Sequence, residues 1–324
     1  MKLTFVNVGY GEAIIVDISD PSYEEGHFIM LIDGGPKLDS EFSDRSSGRI
    51  RIEEYLQKSE INHIDIAVLT HIHEDHLCGF YKAVSLYPPK EIWQTLPYDF
   101  GDTAGLCRLD SADTENCGDL FVSAMEDYCD MMRFVKSAGI KLVQKAAGEI
   151  CFPCNGLSVS VLGPTCERET ELLNSFRDTY ASIHTGVFSD KFNSLDRNMN
   201  NFSLMLLLEY EGKRVFLPGD TNRDGYGDLK QQDIHADIFK IGHHGQKDGV
   251  SMEQLDRIRP SYVVCCASST NKYNSAEAGL IQSIYDKGIE ICFSDTPSVP
   301  CYTLPAHTVL EFSVSKEGIT YLYK

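Results

Sequence analysis

The sequence predicts a layered α/β protein, and three observations predict it. Strand-like runs recur along nearly the whole chain, helical patterns fall between them, and no repeat or low-complexity segment interrupts the alternation. Several runs are continuously apolar, among them Ile66-Ala67-Val68-Leu69 and Leu204-Met205-Leu206-Leu207-Leu208. Such runs suit strands buried on both faces, and strands covered by helices make a layered α/β architecture.

The strands fall into two groups. The first covers residues 3–8, 13–17, 28–33, 64–70 and 91–95. The second covers 157–163, 202–210, 214–218, 238–241, 262–267, 290–293, 308–314 and 319–323. Helical periodicity appears at 50–58, 75–84, 120–137, 167–176, 252–258 and 276–286. A chain of 324 residues allows one large domain or two small ones, and the pattern is read as a single domain over 1–324. Two stretches read as insertions. Residues 98–118 are rich in Asp, Gly, Thr and Cys, and residues 180–201 mix Ser, Asn, Asp and Gly with few apolar residues. Both flank strands that end in candidate ligands, which suggests that they shape a substrate site.

Composition bounds the partners more than the chemistry. The formal net charge is −19, from 48 acidic and 29 basic residues, which argues against non-specific coating of a long polyanion. The N-terminus enters a strand pattern directly, without the charged and apolar regions of a signal peptide, and no apolar run reaches membrane-spanning length. With 11 Cys, an odd number, these features point to a cytoplasmic protein with reduced thiols and no membrane partner. Cys151 and Cys154 have metal or redox spacing, but no second such pair follows, so they read as structural, like Cys265 and Cys266. Nothing in the sequence sets an oligomeric state.

The chemistry concentrates in Thr70-His71-Ile72-His73-Glu74-Asp75-His76, between an apolar strand and a helix pattern. Three of the chain's 10 His fall in this loop, together with two carboxylates. A solvated loop has no need of that density. Alternation puts His71 and His73 on one side of an extended segment, while Asp75 and His76 sit at the turn into the helix. Two further strand ends support the cluster: Leu217-Pro218-Gly219-Asp220, and Lys240-Ile241-Gly242-His243-His244-Gly245. His and carboxylates without thiolate suit Zn²⁺ or Mn²⁺.

In this order the motifs resemble the metallo-β-lactamase-fold hydrolases. Val6-Asn7-Val8-Gly9-Tyr10-Gly11-Glu12-Ala13 is similar to that superfamily's opening hairpin, and Leu31-Ile32-Asp33-Gly34-Gly35 to its second strand. The H-x-H-x-D-H loop is the most specific of the three. Within the superfamily, Asn200-Asn201-Phe202-Ser203-Leu204 and Gly242-His243-His244-Gly245 most resemble the hydrolase domain of ComEC-type DNA-uptake proteins and their stand-alone relatives. The resemblance implies an αββα sandwich of two mixed β-sheets flanked by helices, with metals at one edge. It implies His71 and His73 as ligands of a first metal, and Asp75 and His76 as ligands of a second. Asp220 would bridge the two, and His243 would be the last His on the second metal. His244 would contact substrate and Asp33 would orient a ligand from behind. Most members place a His before the strand near Phe202, where this chain has Asn200. Either Asn200 or His184, the nearest upstream His, would complete the first site, or the first metal would be easily lost. Gln246 stands where ComEC-type members have Ser.

Two metal ions with a hydroxide between them would make a hydrolase. Asp75 would orient the nucleophile and His244 would steady the developing charge. The ComEC-type likeness favours a phosphodiesterase or nuclease-type activity, since that domain is thought to act on DNA. The acidic composition favours a short oligonucleotide or other small diester. Hydrolysis of a lactone, thioester or amide on the same metals is the alternative, followed by a binding module that has lost turnover.

Overall fold

The computed structural model describes residues 1–106, 109–300 and 302–324. Cys107 and Arg108, inside the expected insertion at 98–118, and Cys301 lie outside the described residues. Fifteen strands are described: β1 (Lys2–Val6), β2 (Ile14–Ser19), β3 (His27–Ile32), β4 (Ile66–Val68), β5 (Glu91–Gln94), β6 (Lys141–Gln144), β7 (Ile150–Cys154), β8 (Leu157–Gly163), β9 (Met205–Tyr210), β10 (Lys213–Leu217), β11 (Ile238–Lys240), β12 (Tyr262–Cys265), β13 (Glu290–Phe293), β14 (Val309–Ser315) and β15 (Gly318–Tyr323). The helices are α1 (Ile52–Lys58), α2 (Glu74–Leu86), α3 (Phe100–Thr103), α4 (Ser111–Thr114), α5 (Asp119–Ala138), α6 (Cys166–Tyr180), α7 (Phe188–Asn198), α8 (Arg223–Tyr226), α9 (Met252–Ile258) and α10 (Ala278–Tyr285). Among the described residues, no helix is long and apolar enough to cross a membrane.

Two mixed sheets form the centre, in the orders β15-β14-β1-β2-β3-β4-β5-β6 and β13-β12-β11-β10-β9-β8-β7. Each has a parallel and an antiparallel part, with β3 to β6 parallel in the first and β10 to β13 parallel in the second. The period of two in the strands builds three cores. Leu3, Phe5, Val16, Met30 and Ile32 meet Leu206, Leu208, Val215 and Ile238 between the sheets. Ile15, Leu31, Ala67 and Ile92 turn outward to Leu77, Phe80, Met125 and Phe176 of the helices over the first sheet. Leu207, Phe216, Phe239 and Val263 turn outward to Leu255 and Ile281 of the helices over the second. The result is the αββα sandwich.

Three expectations change. The last two strands do not belong with the second group: β14 pairs with β1, at the end of the first sheet. Two strands escaped the pattern, β6 and β7, both at sheet edges and without buried residues. Residues 180–201 are not an irregular loop, because Phe188, Phe192 and Leu195 put an apolar stripe on α7 that is buried against α5, with the Phe121 and Phe192 rings 4.9 Å apart. Their Ser, Asn and Asp neighbours lie on the remaining faces and mask the stripe in the composition.

Candidate metal centre

The functional loops leave the sheets where parallel strands end, where an α/β sheet can hold ligands outside its carboxyl edge. β4 ends at Val68 and releases the loop bearing His71 and His73, while α2 begins with Glu74, Asp75 and His76. Glu74 and Asp75 complement the positive end of α2 in its first turn. Gly34 is required by close approach. A Cβ there would lie 2.0 Å from the Phe80 backbone nitrogen, and the bonds Gly34 N to His76 O (2.9 Å) and Gly79 N to Gly35 O (2.8 Å) press the start of α2 onto the end of β3. Asp33 follows β3 with φ +53° and is fully buried. It accepts from the Thr70 backbone nitrogen (2.8 Å) and hydroxyl (2.6 Å), and lies 2.7 Å from His76 Nδ1. One carboxylate therefore fixes both the loop and the orientation of His76 from behind.

The deepest donors converge. His76 Nε2 lies 3.3 Å from Asp220 Oδ2, 3.4 Å from His244 Nε2 and 4.0 Å from Asp75 Oδ2. His244 Nε2 lies 2.8 Å from Asp220 Oδ2 and 2.9 Å from Asp75 Oδ2. Tetrahedral ligands on ~2.1 Å bonds stand roughly 3.4 Å apart, so this donor set fits a single divalent cation.

This geometry corrects the roles expected of the paired His. His243 and His244 have φ of +48° and +49°, a tight double turn that sends them in opposite directions. His244 is fully buried, with Nδ1 2.6 Å from the Cys266 carbonyl oxygen behind it, and so its Nε2 joins the donors. His243 is turned aside, with Nδ1 2.9 Å from Asp248, and lines the pocket wall.

A second pair of donors lies beside the first. His71 Nε2 and His73 Nδ1 are 3.0 Å apart, and the His71 ring is 4.2 Å from that of His76. Asn200 is buried and lines the same pocket, and its Oδ1 has no hydrogen-bond partner. An orphaned buried acceptor that lines the same pocket as His73 fits a cation. His184 is elsewhere: its exposed ring sits 3.0 Å from Asp113. Of the two residues weighed for completing the first site, Asn200 lines the pocket and His184 does not.

Burial and charge shape the cluster. Burial pulls the His76 and His244 imidazoles down, but Asp220 and the neighbouring Asp carboxylates prevail, leaving His76 well above its usual range and His244 at about 9. Burial alone would raise Asp75 and Asp220, yet the imidazoles hold both low, with Lys240 also acting on Asp220. Burial, then the Asp75 charge, lifts Glu74 to about 7.

Three participants were not assigned from the sequence. Lys240 is fully buried; its Nζ donates to Asp220 Oδ1 (2.8 Å) and to the Gly219 carbonyl (2.8 Å), and contacts buried Glu12. This pins Asp220 and leaves Oδ2 for the donor cluster. A Lys inside the otherwise apolar run Ile238-Phe239-Lys240-Ile241 was the available signal, since buried charges need partners. Asp196, at the end of α7, lies 3.1 Å from His73 Nε2, the ring nitrogen opposite the one facing His71. Tyr10 packs on the His244 ring at 4.5 Å. Above these donors opens a pocket of about 690 Å³, whose walls include Tyr10, Glu74, Asp119, Asp196, Arg197 and Lys272.

Residues 23–113 match the model of the metallo-beta-lactamase superfamily. A stretch of 98 residues is 29% identical to ComE operon protein 3 of Bacillus subtilis (strain 168). That stretch is 30% of this chain and 13% of the relative, so the chain spans only a small part of the relative's length. Among solved structures, the metallo-beta-lactamase fold protein YhfI from Bacillus subtilis is 10% identical, with 96% of this chain and 98% of that one covered and a TM-score of 0.43. Zn(2+)-bound PqqB from Methylobacterium extorquens is 13% identical, with 90% and 98% covered and a TM-score of 0.42. The chain carries a metallo-beta-lactamase superfamily segment over residues 23–113 and is similar to part of ComE operon protein 3.

Proposed function

We propose that this chain hydrolyses small phosphodiesters. The observation that carries the reading is the pocket floor, where two groups of nitrogen and oxygen donors stand side by side between walls that bear Arg197 and Lys272. Divalent cations held there would supply charge for the phosphoryl oxygens and lower the pKa of an attacking water. The donors suit Zn²⁺ or Mn²⁺, and the Asn200 oxygen shifts the site at His71 and His73 towards Mn²⁺.

The chain's own groups divide the remaining work. Asp75 presents a carboxylate at the pocket floor that orients the nucleophile and takes its proton. The contact with developing charge expected of His244 passes to His243, whose ring is steadied through Nδ1 by Asp248. Burial, then Asp75 and Asp220, keep the Tyr10 phenol protonated, so its hydroxyl remains a donor. Glu74, Asp119 and Asp196 on the walls oppose further phosphates and favour a short substrate over a long polyanion.

The test measures cleavage of bis(p-nitrophenyl) phosphate and of p-nitrophenyl acetate, with Zn²⁺ and Mn²⁺ added separately, by the wild type and by Asp75→Ala. We expect metal-dependent diester cleavage that Asp75→Ala abolishes. Acetate cleavage without diester cleavage would replace this reading with acyl hydrolysis. Undiminished diester cleavage by Asp75→Ala would overturn the mechanism.

A further inference from the structure

Three groups step outward from the metal centre along one wall. The Tyr10 ring lies 4.5 Å from that of His244, and the Tyr273 ring lies 5.3 Å beyond, edge to face with Tyr10. Lys272 Nζ stands 5.0 Å from the Tyr10 centroid and 5.6 Å from that of Tyr273, and is held 3.1 Å from Glu41 Oε1. Tyr10 is almost fully buried, but Tyr273 is 56% exposed at the pocket mouth.

The segment that presents Tyr273 is built at a cost. Asn271, Tyr273, Asn274 and Ala276 all have φ between +51° and +58°, a region that residues with a Cβ seldom enter. Strain of this kind persists where surrounding structure fixes it, and it gathers at functional sites. Here the fixing comes from the ligand loop itself: Ala276 N donates to the His244 carbonyl (3.0 Å) and Glu277 N to that of Gly245 (2.8 Å). The aromatic step is therefore tied by backbone bonds to a residue of the donor cluster.

The walls differ in what they can receive. Glu74, Asp119 and Asp196 face the pocket without an aromatic platform of comparable exposure, whereas the Tyr10–Tyr273 wall has two rings and an ammonium. We propose that Tyr10, Lys272 and Tyr273 form a subsite for a nucleobase, so that the substrate is a small nucleotide diester with one base against Tyr273. This rests on the diesterase reading for the position of the phosphorus. Stacking on an exposed tyrosine tolerates any base, so the subsite selects for a flat aromatic arm more than for a sequence.

The experiment is calorimetric titration of the metal-loaded protein with AMP and, separately, with ribose 5-phosphate, which keeps the phosphate and sugar but lacks the base. The wild type should bind AMP about tenfold or more tightly than ribose 5-phosphate. Tyr273→Ala, at an exposed position, should abolish that preference, and Tyr273→Phe should retain it. Equal affinity of the wild type for the two ligands, binding of neither, or a preference that persists in Tyr273→Ala would overturn the subsite. Failure of the diesterase reading shows separately: a protein that prefers AMP yet cleaves only the acetate ester keeps the subsite and loses the diesterase, and a diesterase indifferent to the base does the reverse.

Discussion

The two sides of the metal centre are built differently. The deep side, Asp75, His76, Asp220 and His244, has donors within 4.8 Å of one another and supports behind three of them: Asp33 behind His76, the Cys266 carbonyl behind His244, and Lys240 with Glu12 behind Asp220. The outer side has His71 and His73 facing each other, an unpartnered Asn200 oxygen, and one carboxylate support, Asp196, carried on α7. The difference teaches where affinity resides. Fixed ligands with locked second partners bind tightly, and a weaker oxygen donor in place of an imidazole lowers affinity for a borderline cation.

The comparison breaks most sharply at the paired His. His244→Ala should lower diesterase kcat/KM by about 10³-fold or more, roughly 4 kcal/mol of transition-state stabilisation, and should reduce bound metal measured by elemental analysis. His243→Ala should leave metal content unchanged and lower kcat by about 10²-fold. Loss of metal in His243→Ala with none in His244→Ala would reverse the assignment.

A smaller effect separates the two sides directly. Dialysis against a mild chelator should remove the outer metal first. Asn200→His should raise outer-side affinity and Asp196→Asn should lower it, each by about 10–100-fold in a competition titration, while the deep equivalent stays put. Equal loss of both metals would show that the sides do not differ.

Protons sharpen the same contrast. With His244 at about 9 and His76 also raised, the metal-free deep side holds protons at neutral pH that a cation must displace. Affinity there should rise with pH up to about 9, with proton release visible as a buffer-dependent binding enthalpy. Outer-side affinity should depend less on pH in this range, because burial and the neighbouring imidazoles hold His71 well below its usual value.

The smallest expected effect is on stability. Glu74 is raised from 4.5 to about 7, so between these pH values the folded protein binds a proton that the unfolded chain releases. Its contribution is present at low pH and fades as pH rises through about 7. Glu74→Gln should therefore stabilise the fold at pH 8 by on the order of 1 kcal/mol, read as a higher Tm, and change little at pH 4. No difference between the two pH values would remove Glu74 from this role.

Much of this was legible before any coordinates. Local periodicity marked thirteen of the fifteen strands, because a buried strand must be apolar at every position or at alternate ones. It passed over β6 and β7, which are edge strands without buried residues, and it missed α7, whose stripe of three apolar side chains is diluted by polar neighbours. The loop from His71 to His76 advertised metal chemistry through residue density alone.

Residue order by itself determined thirteen of the fifteen described strands, the ligand-bearing loops and the candidacy of Asp75, His76 and Asp220, since each is encoded within a few neighbouring residues; the candidacy of Asp33 and Asn200 came with the family resemblance. Tertiary structure decided what depends on distant partners. The double left-handed turn and the Cys266 carbonyl chose His244 over His243. The packing of α7 brought Asp196 to His73, 123 residues away, and left His184 with Asp113. The meeting of the two sheets buried Lys240 against Glu12 and Asp220. A side chain's type is a local fact, but its ligand, support or bystander role is set by which atoms the fold brings within about 3 Å of it.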